Sequence, residues 1–207
     1  MNRSILLVAE GEHELSVGRP DAALMTVVHR LLGDGFELST SGKRIRELSG
    51  HIHPGRGDRL GRKFIGIIQY AERQGYDAVV ILMDHDGYDS RPKSATYAQE
   101  AIVTSLPRAV GIAVQSFDAW FLADHSALST VLEVKVDMQP DPETISDPKM
   151  RCQTLNEIAN SGRSLRDVYS IVAAIMNLDI LRQRCPIGFA VFAERAARLK
   201  EAISNKS

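Results

Sequence analysis

Two short acidic clusters stand directly behind apolar runs. Glu10 follows Ile5-Leu6-Leu7-Val8-Ala9, and Asp84 and Asp86 follow Ala78-Val79-Val80-Ile81-Leu82-Met83. Carboxylates gathered in one place repel one another unless a cation neutralises them. An all-oxygen donor set selects hard divalent ions, Mg2+ or Mn2+. Residues two apart in extended backbone point the same way, so Asp84 and Asp86 are expected to present their carboxylates together. Glu14 joins the set if the chain coils one helical turn beyond Glu10, and Asp118 and Asp89 closely follow strand ends. Glu10, Glu14, Asp84, Asp86 and Asp118 together would suffice for two ions. Paired divalent cations activate water, hold a phosphate and stabilise the leaving oxygen of a phosphodiester. In that chemistry Asp84 and Asp86 are ligands, and Glu10 is either a ligand or the general base. A lone Asp-x-Asp is most often a solvated turn; two acidic clusters, each behind its own apolar strand, favour the metal site. Glu12 reads as an exposed residue.

A site for phosphodiesters must also hold a polyanion. The formal net charge is −1, so any nucleic-acid partner must meet a local basic patch. Between Ser41 and Lys63 the chain carries Lys43, Arg44, Arg46, Arg56, Arg59, Arg62 and Lys63 against Glu47 and Asp58, an excess of five positive charges. Gly55 and Gly57 would let backbone N–H groups approach a phosphate. Arg44, Arg56, Arg59, Lys63 and Lys149 are the candidate phosphate contacts, and a solvated loop and helix face is the competing account. His51-Ile52-His53 has no companions that would complete a tetrahedral metal site and reads as phosphate-contacting or exposed. His85, between the two aspartates, is expected to point away from them. Trp120, with Phe117, Phe121 and Leu122, reads as core. Ser4, Ser16 and the two cysteines show no defensible nucleophile–base arrangement.

These groups need a scaffold. Ile5–Ala9 and Asp77–Met83 are apolar at nearly every position, as strands buried on both faces are. Pro20 can open a helix in which Ala23, Leu24, Val27, Val28, Leu31 and Leu32 recur at helical spacing before Gly33. Phe36–Ser39 is a candidate short strand and Thr40–Gly57 a long loop. Leu60, Phe64, Ile67, Ile68 and Ala71 mark a second helix that Gly75 stops. A third helix is expected at 94–106 and another strand at Val110–Val114. Strand–helix alternation makes a parallel α/β sheet the economical fold, and functional groups in such sheets collect beyond the carboxyl ends of the strands. The chain then turns helical. Asp147-Pro148 is an N-cap with a first-turn proline, leading a helix to about Asn160. Ser164-Leu165-Arg166-Asp167 resembles a capping box, and a last amphipathic helix runs from about Pro186 to Ile203. The expected division is an α/β core over 1–115 and a mainly helical extension over 116–207 packed on it. Two distant cysteines, Cys152 and Cys185, fit a reducing compartment. The run at Ile5–Ala9 is too short for a signal peptide, and no apolar stretch approaches the roughly 20 residues that span a bilayer. A cytoplasmic protein with no membrane partner is expected, and the apolar helical tail suits a homodimer.

The acidic motifs resemble the Toprim domain shared by topoisomerases, primases and nucleases of the overcoming-lysogenization-defect class, which carries a Glu after the first strand and an Asp-x-Asp after a later one. Here these read Leu7-Val8-Ala9-Glu10-Gly11 and Met83-Asp84-His85-Asp86, and the Glu10-Gly11-x-x-Glu14 form is closer to the nucleases. The whole chain is similar to an uncharacterised bacterial family of small Toprim-like proteins. The matching stretches are Gly57-Asp58-Arg59-Leu60, Asp77–Asp86, Ala113–Asp124, Asp147-Pro148-Lys149 and Leu178–Phe192. The resemblance implies a Toprim-like, Rossmann-like parallel sheet with a helical C-terminal extension, and a Mg2+- or Mn2+-dependent endonuclease. It also implies nucleic acid as substrate, DNA rather than RNA, and an ATP-binding-cassette-type ATPase partner in anti-phage defence. One departure falls at Asp118, where family members often carry Glu; the shorter acid changes its reach toward a metal. Two other functions fit the acids: a Toprim-like subunit that binds nucleic acid or protein without cutting, and an Asp-x-Asp nucleotidyl- or glycosyltransferase. The latter has no need of Glu10.

Overall fold

The computed structural model describes residues 3–11, 22–38 and 42–205. Glu12, Glu14, Ser16 and Pro20 therefore lie outside the described residues. Five strands form one all-parallel sheet: β1 (Arg3–Ala9), β2 (Phe36–Leu38), β3 (Lys43–Arg44), β4 (Ala78–Asp84) and β5 (Arg108–Ala113). Their order is β2-β1-β4-β5. Both β2 and β3 pair with the same neighbour, β2 along Arg3–Ile5 and β3 along Val8–Ala9. The strand at Lys43–Arg44 sits inside the stretch expected to be all loop. It is two polar residues long, which leaves no alternation to detect, and only its pairing with β1 makes it a strand.

The period-two alternation of the central strands explains how the sheet is covered. Ile5, Leu7, Ala9, Ala78, Val80, Leu82, Ala109 and Ala113 belong to one buried cluster. Leu6, Val8, Val79, Ile81, Met83, Val110 and Ile112 belong to another. Both faces are dry, which is why these strands are apolar throughout. The second cluster is closed by α2 (Arg59–Arg73) and α3 (Ser90–Glu100). The first is closed by α1 (Ala23–Leu32) and by the helices after Ala113: α4 (Asp118–Ala123), α5 (His125–Leu132), α6 (Pro148–Ala159), α7 (Leu165–Ile175), α8 (Leu178–Arg184) and α9 (Phe189–Ser204). That cluster runs from Ile5 to Phe192 and Leu199 without a break near residue 115, so the helical half and the sheet share one core.

The joint between them is aromatic. Trp120 is fully buried, with ring centroids 5.0 Å from Phe189, 5.7 Å from Phe192 and 5.1 Å from Phe117. Phe192 lies against Gly111 of β5, where a Cβ would stand 2.5 Å from the ring, so glycine is what lets α9 approach the edge strand. The backbone of that edge strand is covered by side chains. Gln99 accepts from the Val110 N–H at 2.9 Å and donates to the Arg108 carbonyl at 3.0 Å, and Arg195 donates to the Val110 carbonyl at 2.5 Å.

Most helix ends follow local chemistry. Asp58 caps α2 through the Gly61 N–H, Asp147 caps α6 through the Met150 N–H, and Ser164 caps α7 through the Asp167 N–H. Gly75 adopts φ 78 just past the C-cap of α2. The helix expected at 94–106 instead spans Ser90–Glu100, because the chain turns at Asp86 and Gly87 and can coil at once. The last helical run is divided into α8 and α9 at Cys185-Pro186. Cys152 and Cys185 are buried free thiols. No described helix is long and apolar enough to cross a membrane.

Candidate active site at the carboxyl edge of the sheet

Strand order reverses between β1 and β4: the chain leaves β1 toward β2 and β3 and returns on the other side to β4. In open parallel sheets such a switch point opens a crevice beyond the strand ends. Ala9 is in register with Leu82, and Asp84 with Ala113. Glu10 therefore emerges beside Asp84, above two adjacent strands. A cleft of about 820 Å³ lies there, lined on one side by Glu10, Asp84, Asp86 and the 115–118 loop. Its other wall is the helical half, with Lys149 and Gln153 of α6 and Arg166 and Tyr169 of α7.

The acids take distinct partners. Asp84 accepts the Phe117 N–H on Oδ1 at 2.7 Å, which ties the end of β4 to the loop after β5. Asp86 has left the strand conformation: its φ is 47, followed by Gly87 at φ 73. The expected parallel presentation of Asp84 and Asp86 required extended backbone, and this left-handed turn turns Asp86 elsewhere. Both Asp86 and Glu10 point at Arg91. Its Nη1 donates to Asp86 Oδ2 at 2.8 Å, to Glu10 Oε2 at 3.1 Å and to the Asp84 carbonyl at 2.5 Å. Burial pushes the Glu10 carboxyl above its usual range. Arg91 opposes that rise, Asp86 adds to it, and Lys63 opposes it more weakly.

Asp118, at the end of the 115–118 loop, is held by neutral donors. The Tyr169 hydroxyl donates to Oδ1 at 2.5 Å and the Ser116 hydroxyl to Oδ2 at 3.0 Å. Tyr169 is buried, and its hydroxyl is pushed well above its ordinary pKa by that burial and by the neighbouring Cys152 and Asp118. It therefore stays a proton donor.

A divalent ion suits this donor set by chemistry. All the facing donors are oxygens, carboxylates come from adjacent strands, and the point that Glu10, Asp86 and the Asp84 carbonyl share already holds a positively charged nitrogen. As the side chains stand, no three His, Cys, Asp or Glu side chains among the described residues converge closely enough to hold a metal ion. Glu10 and Asp86 would have to turn from Arg91 to the ion.

The basic residues divide. Lys63 on α2 is close enough to Glu10 and Arg59 to feel both charges, though burial is the main cause that lowers its pKa. The N-terminal turns of α2 thus flank the acids. Asp58, which would oppose an anion there, is engaged by the Gly61 N–H at 3.1 Å and by the Ser94 hydroxyl at 2.7 Å. Arg56 and Arg59 are exposed, and the Arg56 carbonyl is pinned by the Tyr97 hydroxyl at 2.6 Å. Lys149 is exposed on the opposite wall. Arg44 is engaged by Glu47 at 2.6 Å. His51 lies with its ring centroid 4.7 Å from that of Tyr70, and His53 Nδ1 is 3.4 Å from Gln69 Oε1, so both rings lie along the C-terminal half of α2. His85 approaches Asp89 at 3.9 Å, and its Nδ1 is buried with no hydrogen-bond partner.

Sequence reasoning passed over Arg91, Ser116 and Tyr169. For Arg91 a signal existed: a basic residue five positions after Asp86, at the start of a helix. For Tyr169 there was none, because 51 residues separate it from Asp118. No protein-family model, no curated protein and no solved structure matches the chain.

Proposed function

We propose that this protein is a metal-dependent phosphodiester hydrolase acting on nucleic acid, DNA before RNA. The observation that carries it is the meeting of Glu10 and Asp84 at the switch point of the sheet, on a cleft flanked by the basic end of α2. Asp84 and Asp86 would hold the ion, with Asp118 and, by resemblance, Glu14 serving a second position. A bound divalent cation supplies an acidified water and charge stabilisation at the leaving oxygen.

The chain's own groups do the rest. Glu10 is half-buried, and it would either hold the ion or accept the attacking water's proton on Oε. Tyr169 and Ser116 orient Asp118. Lys63, Arg59 and Arg56 lie on one side and Lys149 on the other, so a phosphate backbone crossing the cleft meets a cation on each side. An ATP-binding-cassette-type ATPase partner, and a place in anti-phage defence, follow from the residue resemblance and belong to the same proposal. A second reading is favoured by one observation: Arg91 already engages the acids, as suits a subunit that binds nucleic acid without cutting it.

The deciding experiment incubates plasmid and linear DNA with Mg2+ or Mn2+ and wild-type protein or Asp84→Asn, in which an acceptor for the Phe117 N–H remains. We expect divalent-dependent nicking by the wild type only. Equal nicking by the two proteins would sink the hydrolase reading, and DNA binding without nicking by either would favour the non-cleaving one.

A further inference from the structure

Arg91 occupies a point at which oxygens of Glu10, Asp84 and Asp86 meet. A single nitrogen contacts Asp86 Oδ2 at 2.8 Å, Glu10 Oε2 at 3.1 Å and the Asp84 carbonyl at 2.5 Å. Its backbone N–H is bonded to the Tyr88 carbonyl at 2.9 Å at the start of α3, and its guanidinium lies 4.8 Å from the Tyr88 ring centroid. The side chain thus folds back from the helix start over an aromatic ring and covers the acids. It is only 14% exposed, whereas the carboxylates it bridges are 36% and 47% exposed, so an ion can still reach them from the cleft.

The charge is not balanced. One positive group faces two carboxylates, and one negative charge is left over. A divalent ion would balance both, and its contacts to oxygen, at about 2.1 Å for Mg2+, are shorter than any the guanidinium can make. Ion and guanidinium cannot share the seat. Resting on the reading of this site as a divalent-metal site, we propose that Arg91 is its built-in counter-ion, which the entering ion displaces, and that the freed guanidinium then binds a substrate phosphate. Displacement leaves the side chain anchored at the first turn of α3, beside the metal. A planar, doubly donating cation at that place matches a phosphate. Metal binding and nucleic-acid binding are then coupled, because the ion releases the group that grips the phosphate.

The test uses the full chain at low ionic strength, with Arg91→Gln and Arg91→Lys beside the wild type and folding checked by circular dichroism. Mn2+ is titrated by calorimetry. A seat held by its own arginine about ten times in eleven weakens the apparent metal affinity by about tenfold. Arg91→Gln is therefore expected to bind Mn2+ roughly tenfold more tightly, with Arg91→Lys, which keeps a cation, in between. A duplex oligonucleotide is then titrated with and without Ca2+. The wild type should gain affinity with Ca2+, and Arg91→Gln should lose most of that gain. Mn2+ affinities within twofold across the three proteins overturn the counter-ion role while leaving the metal site standing. A Ca2+-dependent gain in Arg91→Gln equal to the wild type's overturns the phosphate role. No Mn2+ binding by any of the three removes the metal site and the proposal with it.

Discussion

Two acidic groups of the cleft are held in opposite ways. On the sheet edge, Glu10 and Asp86 are gathered around one guanidinium, which answers part of their charge within the protein. On the loop after β5, Asp118 is held by two hydroxyls that fix its position. A neutral donor orients a carboxylate without satisfying its charge; a cation does both. The first arrangement can be exchanged for an incoming ion, and the second is ready for one. On the proposed reading, the sheet edge would set affinity for a metal, and the Tyr169 side would set geometry.

Substitutions can separate these roles. The largest effect is expected from Asp84→Asn, which should lower divalent-dependent cleavage roughly 100-fold or more, judged against the 10–100-fold seen for groups one step further from a metal. Steady-state cleavage assays measure it, and an unchanged melting curve would show that the loss is chemical. Tyr169→Phe should cost about tenfold in the same assay and about 1–3 kcal/mol in denaturant unfolding, since a hydrogen bond to a carboxylate is lost in a buried place. If activity falls with no change in Mn2+ affinity, Tyr169 sets geometry alone; a parallel fall in affinity would place Tyr169 with the metal-setting groups.

Smaller effects test the flanks. Arg59→Gln and Lys149→Gln should each reduce the salt slope of duplex binding by about one. Arg44→Gln should leave it unchanged, because Arg44 is engaged by Glu47. The smallest effect is a pH dependence. The folded carboxyl of Glu10 lies above its ordinary value of 4.5, so its contribution to stability is greatest below that value and is lost as pH rises through the raised one. In metal-free protein, the melting temperature of Glu10→Gln should gain on the wild type over that rise. A difference that stays flat with pH would show that Arg91 balances the burial of Glu10.

Much of the frame was legible because it rests on local periodicity. The uninterrupted apolar runs at Ile5–Ala9 and Ala78–Met83 require strands covered on both faces, and a parallel sheet meets that requirement. The acids behind them follow, since chain ends of such strands face a common edge. Trp120 was legible as core for the same reason. Lys43–Arg44 was not, because a two-residue polar strand exists only through its neighbour. The early start of α3 was hidden by the turn at Asp86, whose left-handed φ no residue pattern announces.

What the sequence by itself determined is the inventory: strands with Glu10 and with Asp84 and Asp86 behind them, a basic stretch before the second helix, and a helical second half. Tertiary structure alone decided the partners. That Arg91 sits between Glu10 and Asp86, that Tyr169 reaches Asp118, and that Lys149 and Asp84 line one cleft all depend on strand order and helix packing. Hydrogen bonds and ion pairs act over about 3 Å, and only the folded chain brings residues 51 or 81 positions apart within that distance.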